Sequence, residues 1–222
     1  MGRLIVIEGL DGSGKATQAG LLASRLACAD TTVRKLQFPC YDKDSSLFIR
    51  MYLRGDFGEN PDDVNCYAAS MFYAADRYIS FKTSWKKEFD EDAVFIADRY
   101  TTSNAVFQMS KLNKDEWDDY LLWLWDFEYN KLGIPEPDIV FYLDIPAAVS
   151  ENLMVKRYEG DRARMDIHER DIEFQKRCRE AALYCANKEK WNIIDCSEYG
   201  AMRQKQDIAD EIYGKYKECC SQ

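Results

Sequence analysis

The chain has 222 residues, enough for one sizeable core, and an ordinary globular composition of 46% hydrophobic and 31% charged residues. A net charge of −9 argues against a general nucleic-acid binder, which needs a basic face, yet it permits small phosphorylated ligands held by a few local donors. No apolar run is long enough to cross a bilayer, and eight cysteines with one histidine and no Cys-x-x-Cys point to free thiols in a reduced, cytoplasmic compartment rather than zinc.

The start, Met1 to Val6, runs into a strand-like stretch without a signal-peptide cleavage region, and Val6 removes the Ser or Thr that acylation at Gly2 would need. Five short runs rich in Val, Ile and aromatics read as buried parallel strands: Leu4–Glu8, Val33–Phe38, Ala93–Asp98, Asp138–Asp144 and Trp191–Asp195. Helix-like segments separate them. The pattern predicts a three-layer α/β/α fold with a five-stranded parallel sheet, as one domain over residues 1–222.

Between the first strand and a helix from Lys15 to about Cys28 lies Gly9-Leu10-Asp11-Gly12-Ser13-Gly14-Lys15. In that context the spacing is a phosphate-binding loop: glycines let backbone N–H groups converge on phosphate, and Lys15 reaches the outer phosphates. The candidate ATP-binding residues therefore run from Gly9 to Thr17. Ala16 stands where such loops carry a hydroxyl for magnesium, and Thr17 points about 100° away from it. Asp98, ending a buried strand at the carboxyl edge, is the candidate ligand for Mg2+, through water. Asp11 needs a cation or a ligand proton beside it.

Further along, Asn60-Pro61-Asp62-Asp63 reads as a cap that opens a helix running to Phe89, with Tyr73 and Arg77 one turn apart on one face. A second aromatic helix, "EWDDYLLWLWDFEYNKLG", ends at Gly133; its Trp and Leu stripe reads as core or subunit interface.

Taken together, "EGLDGSGKATQ", "FYAADRY", "ADRYTTSNA" and "RARMDIHERD" resemble the thymidylate kinases, a family of P-loop nucleoside monophosphate kinases. The resemblance runs from Arg3 to about Asp195 and implies the P-loop NTP hydrolase-like kinase fold. It implies that Lys15 and the loop from Gly12 to Gly14 hold the phosphates of ATP, that Tyr73 stacks on thymine, and that Arg77 and Asn104 contact its edge. Arg99 would bind the acceptor phosphate, Tyr100 would exclude a 2′-hydroxyl, and Phe38, Pro39, Tyr41 and Ser103 would line the site. The stretch "KRYEGDRARMDIHERD" matches a mobile lid over about 156–168. Relatives with Gly at the position of Gly12 supply the catalytic arginine from this lid, here Arg162 or Arg164, with Arg157 in reserve. Asp166 and Glu169 would close the lid on the substrate side, and His168 stands where relatives can carry an aromatic. Cys40-Tyr41 departs from the acid–Arg pair of some relatives.

The implied reaction is ATP + dTMP to ADP + dTDP, with Lys15, Arg99, Arg162, Arg164 and Asp11 as catalytic candidates, Mg2+ as cofactor and a homodimer as assembly. Two other readings stay open at this point. One is a deoxynucleoside kinase, for which Asp42 is the nearest carboxylate to the second strand; the other is an ATP-binding regulator, motivated by Ala16.

Overall fold

The structure, a computed structural model, describes residues 2–27, 32–159, 161 and 165–220, with only the backbone of Lys156 and Arg157. Arg162, Arg164 and the Arg157 side chain therefore lie outside the described residues, as does Cys28.

Strands β1 (Arg3–Gly9), β2 (Val33–Gln37), β3 (Val94–Asp98), β4 (Ile139–Asp144) and β5 (Asn192–Asp195) form one parallel sheet in the order β2-β3-β1-β4-β5. Alternation along β1 sends successive side chains to opposite faces. Ile5 and Ile7 pack with Ala19 and Leu22 of α1 (Lys15–Leu26) and with Ile208 and Ile212 of α10 (Lys205–Cys220). Leu4 and Val6 meet Phe81, Trp85 and Phe89 on the other face. There too, Val106 and Phe107 of α5 (Thr102–Phe107) and Phe174, Cys178 and Ala182 of α9 (Ile172–Lys188) cover Tyr142. Helices on both faces give the three expected layers. All four β1 side chains are fully buried, each contributing roughly 1.5–3 kcal/mol of hydrophobic stabilisation.

The register pairs Ile7 with Asp98 on one side and with Phe141 on the other, so Gly9 and Asp98 emerge side by side at the carboxyl edge. That edge holds the site. Around it stand α2 (Leu47–Arg54), α3 (Cys66–Ser80), α4 (Lys86–Asp90), α6 (Trp117–Trp125), α7 (Ala147–Arg157) and α8 (Ile167–Arg170). A small antiparallel hairpin, β6 (Ser197–Glu198) with β7 (Ala201–Met202), follows the sheet; its strands are too short to leave a periodic signal.

The helix expected from Pro61 to Phe89 is divided into four segments. Asn60 and Asp63 do form a reciprocal capping box, but it closes only a 3-10 turn, Pro61–Asp63. Val64 is extended, and α3 starts afresh at Asn65, whose side chain accepts from the Ala68 N–H at 2.8 Å. After Ser80 the chain passes through a π-helical turn, Phe81–Trp85, into α4. The second aromatic helix also changes character: α6 gives way to a π-helical segment, Asp126–Lys131, before Gly133 at φ +66°. Trp117, Tyr120, Leu121 and Leu124 of α6 are buried in core, as the stripe predicts.

Candidate active site

The loop between β1 and α1 turns at Gly12 (φ 79°) and Gly14 (φ 88°), the left-handed region that glycine enters without a Cβ penalty. Lys15 then curls back so that Nζ donates to the Leu10 carbonyl at 2.8 Å and stands 3.9 Å from the Asp11 carboxylate. Gly12, Gly14, Lys15, Ala16 and Thr17 line an open cleft, with Asp98 beside them. Leu10 and Ser13 are fully buried within the loop and do not line it. Burial, reinforced by nearby Arg99, pulls the Lys15 ammonium down to about 8.

Arg99 adopts φ +65°, rare for a residue with a Cβ. This conformation follows directly on β3 and folds the guanidinium back over the loop, where Nη2 donates to Asp11 at 2.5 Å and Nη1 to Glu8 and the Gly9 carbonyl at 3.3 Å. Burial opposes the Arg99 charge, but Asp11, Glu8 and Asp98 outweigh it and raise its pKa. The same pairing holds the Asp11 carboxyl below its ordinary value despite burial. Asp11 thus meets the cation its sequence position called for.

Glu8 is a site residue that sequence reasoning missed. It is fully buried, and besides Arg99 it accepts from Gly9 N–H (2.9 Å), Thr102 Oγ1 and Ser103 Oγ (both 2.7 Å). Its only signal was an acid inside an apolar strand.

A second cavity adjoins the cleft, and Asp11, Tyr41, Arg99 and Asp166 line both. Tyr73 and Arg77 face into it from one side of α3, joined by Phe38, Pro39, Tyr100, Ser103 and Asn104. Nearly every substrate-side residue named from sequence is here. Arg77 is also buried against Glu128, donating through Nε at 2.7 Å and Nη2 at 2.5 Å, while Nη1 reaches the Tyr100 carbonyl at 3.2 Å. The Tyr100 hydroxyl donates to the Pro135 carbonyl at 3.0 Å, and its ring lies 5.7 Å from Phe38. Buried Asp76 accepts from Cys40 N–H at 2.8 Å and from Ser45 Oγ at 2.5 Å, fixing the loop that carries Tyr41. Gln108, one helical turn beyond Asn104, lines the pocket too, and its buried Oε1 has no partner.

Of the lid residues that are described, Asp166 caps α8 by accepting from His168 and Glu169 N–H at 2.8 and 2.9 Å. Burial, with Glu169 and Asp11 adding repulsion, pushes its carboxyl up to about 7. His168 lines the second cavity, stacks on Phe107 and hydrogen-bonds Tyr52 through Nε2 at 2.8 Å; burial holds it neutral, down to about 3.

Asp98 is the carboxylate that stands at the cleft beside Lys15. Burial raises its carboxyl pKa against the pull of Lys15 and Arg99, and a cation at the cleft would relieve that penalty. Ala16 offers no oxygen, and among the described residues no group of three or more His, Cys, Asp or Glu could hold a metal ion. A cation held here would therefore have to keep several waters.

The thymidylate kinase family model matches residues 7–208. A thymidylate kinase of Mycobacterium tuberculosis is 32% identical over 176 residues, covering 78% of this chain and 81% of that protein. One from Plasmodium falciparum is 27% identical, covering 95% and 88%. A solved thymidylate kinase of Candida albicans superposes with a TM-score of 0.70 at 22% identity, over 97% of this chain and 91% of that one. Its likeness establishes the P-loop kinase fold, and the sequence matches place the chain in the thymidylate kinase family.

Proposed function

We propose that the chain transfers the γ-phosphoryl group of ATP to dTMP, giving ADP and dTDP. The observation that carries this reading is the junction of the two cavities at Arg99: the cleft along the Gly-rich loop and Lys15 adjoins a pocket lined by Tyr73, Arg77 and Asn104. The acceptor monophosphate is largely a dianion near neutral pH, its second pKa being about 6, so no strong general base is needed. Catalysis is then positioning and charge neutralisation.

In this reading Lys15 and the amides of Gly12 to Gly14 hold the donor phosphates. Arg99 holds the acceptor phosphate, aided by Tyr41. Tyr73 stacks on thymine, and Arg77, Asn104 and Gln108 meet its polar edge. Asp98, at the cleft, would hold Mg2+, which when bound would supply charge neutralisation for the phosphates of ATP. Arg162 or Arg164 would complete the neutralisation from the lid. The rival nucleoside kinase gains nothing from Asp42, whose side chain is 81% exposed and ion-paired with Lys43.

The assembly is proposed to be a homodimer, supported by the exposed apolar stripe of Tyr67, Met71 and Ile79 on α3 with Leu122 on α6. Seven unpaired thiols among the described residues agree with a cytoplasmic location. The kinase reading is tested by coupled ADP release with a panel of nucleoside monophosphates. Turnover that depends on dTMP is expected; hydrolysis indifferent to dTMP would overturn it.

A further inference from the structure

The charged group that organises the base end of the acceptor pocket lies outside it. Glu128 is fully buried, carried by the π-helical segment after α6, 51 residues from Arg77 and 24 from Asn104. Its two oxygens take Nε and Nη2 of Arg77, and Oε1 also accepts from Asn104 Nδ2 at 3.0 Å. The other partner of Asn104 Nδ2 is the Ser70 carbonyl at 3.2 Å.

These contacts fix a polarity. An amide nitrogen has two N–H groups, and both are directed at acceptors that have no proton to give, the carboxylate and the Ser70 carbonyl. A flipped amide would set its oxygen against two acceptors, so the orientation of Asn104 is determined. With both N–H groups engaged, Oδ1, an acceptor, is the amide atom that Asn104, a lining residue of the pocket, has left for a ligand. Arg77, which also lines the pocket, spends three of its five N–H groups on Glu128 and the Tyr100 carbonyl and has two left to donate. Gln108 has no such anchor for Oε1 and can adapt.

We propose that Glu128 is the specificity-determining positioning residue of the base site, setting Asn104 as an acceptor and Arg77 as a donor so that the pocket takes 4-keto pyrimidines and rejects 4-amino ones. This rests on the kinase reading above and deepens it. Thymine and uracil offer a carbonyl at position 4 and an N–H at position 3. Cytosine offers an amino group and a lone pair at those positions, opposing Arg77 with a donor and Asn104 with an acceptor. A site built around buried hydrogen bonds discriminates by about 10⁴ or more against a ligand that leaves them unmade.

The test is kcat/KM for dTMP, dUMP and dCMP in the wild type and in two variants. The wild type should turn over dUMP within about 200-fold of dTMP, because one methyl is worth about 10–200-fold, and should disfavour dCMP by at least about a thousandfold. Glu128→Gln removes the doubly accepting carboxylate, so the dTMP:dCMP ratio should collapse by at least about tenfold while the KM for ATP holds. Asn104→Ser leaves the Glu128–Arg77 pair in place and keeps the test open should the first variant not fold; it should lower the dTMP:dCMP ratio and spare dTMP:dUMP. Loss of turnover on all three substrates with the ratios intact in Glu128→Gln would mark a merely structural role and overturn the inference. An unchanged dTMP:dCMP ratio in Asn104→Ser would do the same. Equal use of dTMP, dUMP and dCMP by the wild type would overturn it while leaving the kinase reading standing. Failure of the wild type on every monophosphate would take the kinase reading with it.

Discussion

The donor loop and the acceptor pocket meet at Arg99 but are made in different ways. The loop is local: nine consecutive residues, three of them glycines at positive φ, shape it by backbone, and Lys15 binds a carbonyl only five residues away. The pocket is assembled at long range, from side chains on α3, α5 and the segment after α6, through buried bonds that span 23 to 51 residues. A backbone site tolerates change in its side chains. A side-chain site depends on partners that never touch the ligand.

That contrast can be broken or sharpened by mutation. The largest effect is expected from Lys15→Ala, which removes the one side-chain cation of the loop. Turnover should fall by about 10³ with every acceptor nucleotide, as for loss of a key transition-state donor; a loss confined to dTMP would blur the distinction between the two halves. Arg99→Ala should cost about 10²–10³ in kcat/KM for dTMP while equilibrium binding of ATP stays nearly intact. Equal loss of both would place Arg99 on the donor side.

Glu8 tests the seam between the halves. Glu8→Gln leaves its shape but removes a buried charge that Arg99, Ser103 and Thr102 share, and urea unfolding should show a loss of about 1–3 kcal/mol. An unchanged midpoint would show that Asp11 and the Gly9 carbonyl fix Arg99 without the Glu8 charge.

The smallest effect concerns pH. Asp166 has a folded pKa raised to about 7, so between about pH 4 and 7 the folded state holds the proton more tightly than the unfolded chain, and stability falls as pH rises through that window. His168 works oppositely: its folded pKa is lowered to about 3, so stability falls as pH drops below about 6.5. Asp166→Asn should therefore leave a Tm that rises more steeply with pH between 5 and 7 than in the wild type. Parallel Tm curves would mean that the carboxyl is ionised throughout.

The same contrast explains what could be read without coordinates. The strands, the loop from Gly9 to Lys15 and the pairing of Tyr73 with Arg77 on one helical face depend on neighbours in sequence, and all are present as expected. The start of α3 was misread because Asn60, Pro61 and Asp63 satisfy every local rule for a helix cap, and only the extended backbone at Val64 hands the role to Asn65. Glu8 and Glu128 escaped because nothing near them in sequence reveals a partner. An acid among apolar residues hints at burial, but it does not say which cation, 91 or 51 residues away, makes that burial tolerable.

The π-helical segment Asp126–Lys131 makes the length of this stretch matter more than its composition. Such a turn closes over one residue more than an α turn, so removing a single residue between Trp125 and Glu128 would restore ordinary winding and swing the carboxylate about 100° around the axis. A frame-preserving deletion there should be harsher than replacing any of the neighbouring aromatics. The fidelity of base choice is thereby tied to the phase of a helix rather than to the pocket wall itself.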